Sequence, residues 1–450
     1  MNEMKIHTSG GHPFLRSPHA AFLKMSLPVL ISLIAEPVTG LVDTAFVSRL
    51  GVFSLSALGV GTMVLSGFFW IFNFLGIGTQ TEVAQALGKQ DSGRAGQMAG
   101  LALLLAAALG ILSILVFRPF VPALSQLMGA SGDVHRLAVD YLSIRLFGAP
   151  AVLMMVASFG IFRGLLDMKT PLYIAVSINV LNVFMDPVLI FGWGRLPSMG
   201  VSGAALASVI SQWIGAFWAV AAVYRRLSFA GHFPLRDARK FLVVGRDLFF
   251  RTGLIFLFLL LTTRAATRAG ADAGAAHQAV RQVWLFTALF LDAFAVTGQS
   301  LVGYFIGSGQ MDTVRKASTI VCVWSTATGA AVAAAMWFSM DLAMAFLVPA
   351  RAADVFIPAW KVAILTQPLN ALAFATDGIH WGTGDYRYLR NVMALASITG
   401  FTALHLLDTS AGNTLTHIWI VIACWLSIRS VFGLLRIWPG IGNSPIKGCI

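Results

Sequence analysis

Glu36 and Asp43 stand seven residues apart in the stretch AEPVTGLVDTAFVSRLG (35–51), which continues an apolar run, FLKMSLPVLISLIA. Seven residues are almost two helical turns, so the two acids share a face, about 10 Å apart along the axis at 1.5 Å per residue. A carboxylate at the centre of a membrane helix costs about 2.5–3.5 kcal/mol on insertion scales. Acids kept there point to ion or proton handling; the structural alternative is hydrogen bonding between helices. Pro28 and Pro37 lie on the same helix. Each removes an internal hydrogen bond and permits a kink. A bendable helix that carries buried acids is a candidate moving part.

A second constellation occurs in INVLNVFMDPVLIFG (178–192), where Asn182 and Asp186 form an i, i+4 pair on one face. An amide beside a carboxylate can ligate a cation or hold a proton. Asp186 precedes Pro187, which predicts a bend. In VDYLSIRLFG, Tyr141 and Arg145 are also one turn apart, with interfacial anchoring as the alternative role. The second half of the chain offers Asp292 and Asp377, together with the arginines Arg251, Arg264, Arg268 and Arg281. The i, i+4 spacing of Asp247 and Arg251 predicts that they pair.

The elements that position these residues are membrane helices. The 450 residues are 57% hydrophobic and 11% charged, with a mean hydropathy of +0.79. Soluble chains carry about 25% charged residues. The apolar runs are continuous, unlike the ten-residue alternation of a transmembrane β-barrel. Twelve spans are expected, at 22–48, 54–86, 94–117, 135–163, 171–193, 201–224, 242–268, 275–306, 315–346, 355–381, 386–408 and 414–437. The first twenty residues are polar and basic, with no apolar core ahead of a cleavage site, so the first span is expected to act as the insertion signal. Lys and Arg gather in one alternate set of loops, including RRLSFAGHFPLRDARKFLVVGR (225–246). The positive-inside rule makes that set, and both termini, cytoplasmic. Basic loops also account for the net charge of +12, so nucleic acid is not an expected partner.

The chain repeats. DTAFVSRLG (43–51) lies 219 residues before TTRAATRAG (262–270), Gly88 lies 219 before Gly307, and RGLLD (163–167) meets WGTGD (381–385) at 218. Six crossings per half return the chain to its starting side, so the halves share one topology. The expected organisation is an amino-terminal segment 1–20, a first lobe 21–226, a linker 227–240, a second lobe 241–440 and a tail 441–450. Thr262 stands where the repeat would place Asp43, so the halves are chemically unequal. No HExxH, Walker A or CxxC motif is present, and the three cysteines and the histidines lack ligand spacing. Neither an enzyme, a cofactor nor a metal is expected.

These segments resemble the multidrug and toxic compound extrusion (MATE) family. The carriers are LPVLISLIAEPVTGLVDTAFVSRLG, GIGTQTEVAQALGKQD, FRGLLDMKTPLYIAVSINVLNVFMDP and MGVSGAALASVIS, while GRDLFFRT and the VDTAFVSRLG ending look like the DNA-damage-inducible F branch. The resemblance implies twelve helices in two six-helix lobes forming a V, and monomeric, alternating-access efflux of small amphiphilic compounds driven by protons or sodium. It also implies a bacterial inner membrane. It maps the first-helix acid onto Asp43 and the bending proline onto Pro28. The amino-lobe network maps onto Tyr141, Asn182 and Asp186, with Ser208 supplying a hydroxyl where many members have Thr. Glu36, Asp292 and Asp377 are the remaining candidates for the substrate cavity. The family's seventh-helix carboxylate has no counterpart after Asp247. Two rival readings are a lipid-linked-oligosaccharide flippase, to which the in-span arginines lend weight, and an intramembrane enzyme using Asp43 and Asp186 as an aspartyl pair.

Overall fold

The computed structural model describes residues 12–227, 235–408 and 412–447. Residues 1–11 of the expected amino-terminal segment, 228–234 of the linker and 448–450 of the tail lie outside them. The chain is helical almost throughout, in twelve spans: α1 Pro18–Ser48, α2 Val52–Gly88, α3 Ser92–Leu127, α4 Gly132–Gly164, α5 Lys169–Phe191, α6 Val201–Arg226, α7 Leu235–Arg268, α8 Ala271–Gly307, α9 Met311–Phe338, α10 353–383, α11 Tyr386–Leu406 and α12 Thr414–Ile437. Among the described residues, nine of these are long and apolar enough to cross a membrane by themselves; α7, α10 and α11 are the others. The twelve-span expectation holds.

Local sequence sets the breaks. Span α4 passes through a 3₁₀ turn, Leu146–Gly148, before resuming with Pro150 in the first turn of its second half. Span α10 breaks at Thr366, with Pro368 in the same position. Proline lacks the N–H that a first turn leaves unbonded anyway, and it disfavours helix in the residue before it. Pro150 and Pro368 are 218 residues apart, so this break belongs to the repeat. Pro28 and Pro37 lie inside α1, and Pro187 inside α5.

The described residues divide into two compact units. One is Leu27–Gly245; the other is Arg246–Ile450 together with residues 12–26. In the first unit α2 packs on α4, α3 on α4, α2 on α3, α4 on α6, and α5 on α6. In the second, the same pairs recur as α8 on α10, α9 on α10, α8 on α9, α10 on α12, and α11 on α12. Close backbone contacts recur too. A Cβ on Gly160 would lie 2.5 Å from the Gly76 carbonyl oxygen, and one on Gly164 2.8 Å from that of Gln80. In the second unit, Gly378 abuts the Ala295 carbonyl in the same way, and a Cβ on Gly382 would lie 2.6 Å from the Gln299 oxygen. Small residues let helix backbones approach closely where lipid supplies no hydrophobic drive between helices.

The helices that open the two halves share a further property. The division between units falls within α1 at Ser26/Leu27 and within α7 at Gly245/Arg246, which are 219 residues apart. Ahead of the first division, Phe22 packs on Phe294, and Phe14 on Phe305. Ahead of the second, Phe241 lies over Gly78 and Asp237 pairs with Arg94 at 2.7 Å. That guanidinium holds the Asp237 carboxyl below its usual range. The core of the second unit is aromatic: Phe258 stacks on Trp425, with Trp360 and Trp419 buried beside α7, α8 and α10.

Candidate functional site

In the first unit, α1 brings Asp43 to the face of α5 that carries Asn182 and Asp186. Asp43 is half-buried; Asn182 and Asp186 are buried. The Asn182 amide lies between the two carboxyls. In one orientation its Nδ2 faces Asp186 Oδ1 at 3.5 Å, which is long for a hydrogen bond. Turned over, Nδ2 donates to Asp43 Oδ1 at 3.1 Å, and the amide oxygen accepts from the Ser208 backbone N–H at 3.3 Å. The second orientation satisfies both ends of the amide and is assigned on that ground. Ser208 thus enters through its backbone N–H on α6.

The two carboxyls are also within hydrogen-bonding reach of each other, and the Arg145 guanidinium acts on both. Arg145 donates from Nη1 to Gln212 Oε1 at 2.8 Å. It also bonds the Tyr141 hydroxyl. Tyr141 is buried, and its ring fills the space left by the missing Cβ of Gly61 on α2. Glu36 stays on an exposed face of α1, within the field of Arg145. Gly61 and Gln212 are site residues that sequence reasoning missed; neither carries a signal in a single chain.

An amide between two carboxyls has one donor end and one acceptor end. The donor end suits an ionised carboxylate. The acceptor end suits a carboxylic acid that can donate its proton. With Nδ2 donating to Asp43 and the oxygen accepting from Ser208, the amide is matched to an ionised Asp43, and turning it over would set Nδ2 against the Ser208 N–H. The oxygens of the trio could equally face a bare cation. Among the described residues, no group of three or more His, Cys, Asp or Glu side chains is arranged to hold a metal ion.

The second unit is built differently. Thr262, at the position matching Asp43, is buried and donates to the Leu259 carbonyl of its own helix at 2.8 Å. The expected Asp247–Arg251 pair does not form. Asp247 accepts from Arg390 at 2.7 Å and from Arg246 at 3.0 Å, and Arg251 reaches instead across the unit to Asp377. The i, i+4 spacing allows a pair but does not decide between it and a closer partner on another helix. Asp377 Oδ2 accepts from both Arg251 and Arg429, the latter at 2.7 Å, and all three side chains are buried. Asp292 lies half-buried on α8.

A duplicated, twelve-span helical chain with two acids and an amide gathered within one unit is a polytopic membrane protein of the transporter class. Residues 28–188 and 248–403 match the MatE family model, one segment in each half. The chain belongs to the MatE family. It is similar to Protein DETOXIFICATION 44, chloroplastic, of Arabidopsis thaliana, at 30% identity over 94% of this chain and 84% of that protein. It is also similar to DNA damage-inducible protein F of Escherichia coli (strain K12), at 28% identity over 94% and 93% of the two chains. A crystal structure of MATE in the bent conformation superposes with a TM-score of 0.82 at 21% identity, covering 92% of this chain and 93% of that one.

Proposed function

We propose that this protein is a secondary active efflux antiporter that exports small amphiphilic organic compounds in exchange for protons or sodium, with Asp43 as the coupling acid. One observation carries the reading: the Asn182 amide of α5 donates to Asp43 on the proline-containing helix α1, one helical turn from the buried Asp186, and the two carboxyls lie within hydrogen-bonding reach of each other. Occupancy by a proton or cation changes the charge held between α1 and α5. A ligand shifts a conformational equilibrium only through different affinities for its states, and a charge between two helices supplies such a difference. Membership of the MatE family agrees with a transport role. On this reading the protein works as a monomer in a plasma membrane, with both termini on the cytoplasmic side where basic loops gather. The direct test is dye export from proteoliposomes under separately imposed proton and sodium gradients. Export that responds to neither gradient would remove the antiport reading.

The trio should behave as one unit. In a cycle of Asp43→Glu, Asn182→Ala and the double variant, the losses in export rate are expected to fall short of additivity by about 0.5–3 kcal/mol. Losses that simply add would assign the two residues independent roles.

Pro28 and Pro37 are assigned the bending of α1. Pro28→Ala restores a backbone hydrogen bond and favours the straight helix while leaving every titratable group in place. Turnover is expected to fall by about tenfold, a loss of transition-state stabilisation near 1.4 kcal/mol. Dye binding measured without a gradient should stay close to wild type. Normal turnover in this variant would move the bending role to Pro37 or to motion of whole units.

A further inference from the structure

The polar centre of the second unit has the wrong sign for a cation site. Two guanidiniums, Arg251 on α7 and Arg429 on α12, converge on one oxygen of Asp377 on α10. The group carries one net positive charge, and its three side chains are 6–8% exposed. A guanidinium has five N–H donors. Here each spends one nitrogen on Asp377, and the buried Nε of each has no acceptor among the described residues. Each guanidinium also lies over an indole: Arg251 over Trp381 at 5.3 Å, and Arg429 over Trp425 at 4.4 Å. The matching positions of the first unit hold Ser32 and Phe159, so the cluster is no relic of the repeat.

A buried charge is costly unless paired and hydrogen-bonded. Each guanidinium keeps a buried Nε donor without an acceptor among the described residues, so the pair can take a further anionic acceptor. We propose that Arg251 and Arg429 form a binding site for the carboxylate of an amphiphilic organic acid, with Asp377 holding the two forks in place and Trp381 beside the apolar part of the ligand. One surplus positive charge is balanced by a monoanion. A pyrophosphate would bring two or more negative charges to the same pair. Asp377 lies eight residues, about 12 Å, from Asp385 near the end of α10, so the site sits within the helical bundle, short of its rim. The side chains are closed to solvent in this structure, and entry requires movement of α7, α10 or α12. The assignment rests on the transport reading and names the charge of its substrate.

The test uses the full-length protein in detergent, with dansylglycine as the probe and its methyl ester as the uncharged match. The acid is expected to bind at least about tenfold more tightly than the ester, equivalent to 1.4 kcal/mol, and to raise the melting temperature where the ester does not. Arg251→Gln and Arg429→Gln should each bring the acid-to-ester ratio to about one. If these variants do not fold, the acid-to-ester ratio of the wild type decides. Equal binding of acid and ester overturns the site, as does full acid selectivity in both folded arginine variants. Displacement of the probe by farnesyl pyrophosphate far more readily than by a fatty acid of equal length overturns the carboxylate assignment. Ethidium export under a gradient is measured on the same preparation. Export without acid selectivity sinks this site and leaves the antiport reading standing; acid selectivity without any gradient-driven export does the reverse.

Discussion

Asp43→Asn is expected to reduce gradient-driven export by about a hundredfold or more, to the leak rate of empty vesicles. The amide keeps the size and shape of the carboxyl but cannot take up or release a proton. It also changes the hydrogen-bond arithmetic of the trio: the Asn182 Nδ2, which donates to the Asp43 carboxylate, would then face an amide in its place. Folding should be nearly untouched, within about 1 kcal/mol, because Asp43 is half-buried and the replacement is isosteric. Dye binding without a gradient should persist. The checks are export from proteoliposomes, equilibrium dye binding, and a thermal melt on one preparation. Wild-type export that keeps its gradient dependence would remove Asp43 from the coupling step and leave Asp186 as the acid to examine.

The second large effect is structural. Gly378→Val places two methyl groups and a Cβ where α10 meets the backbone of α8 at Ala295. The obstacle is a carbonyl group, not the flexible end of a side chain, so the helices must separate. The cost is expected to be about 3 kcal/mol or more, at or above the upper end for overpacking and a large share of a typical folding free energy of 5–15 kcal/mol. Gly160→Val should do the same in the first unit, where the obstacle is the Gly76 carbonyl. Gly253→Ala is the control: a Cβ there meets nothing within 4 Å, and the change should be neutral or slightly stabilising. The readout is monodisperse yield and melting temperature in detergent. A Gly378→Val protein that melts with the wild type would mean that α8 and α10 do not touch there.

The spans and the chemistry of the first unit were legible in the sequence for different reasons. Spans are written in hydropathy, a local property, and the twelve expected segments match the twelve observed to within a few residues at most ends. That Asn182 and Asp186 share one face of α5 follows from helical period alone. That Asp43 joins them is not a local fact; it came from resemblance, and the geometry places its Oδ1 beside the Asn182 amide. The second unit shows where local reasoning stops. Arg251 has an acid four residues before it, yet its partner is 126 residues away. Nothing in the chain near Arg251 announces Asp377, and nothing near Arg429 announces either. Gly61 is equally silent: its role is to leave room for the Tyr141 ring, and one chain has 43 glycines to choose from.

That long separation also has a meaning in time. Among the described residues, α7 is one of the three spans that do not qualify as membrane-crossing on their own. An arginine at the bilayer centre opposes insertion by about 2.5–3.5 kcal/mol, and Arg251, about a third of the way along the expected span 242–268, bears part of that cost. While the chain is being made, Arg251 leaves the ribosome 126 residues ahead of Asp377, and Arg429 follows 52 residues after that. At about 5–20 residues per second, α7 waits roughly 6–25 s for its counter-ion, and longer for the cluster to close. During that interval the Arg251 guanidinium lacks the Asp377 carboxylate, and water, headgroups or helices already made must meet its charge. The ion pairs that complete the second unit thus make α7 a helix whose residence in the bilayer is decided by segments not yet synthesised when it first arrives.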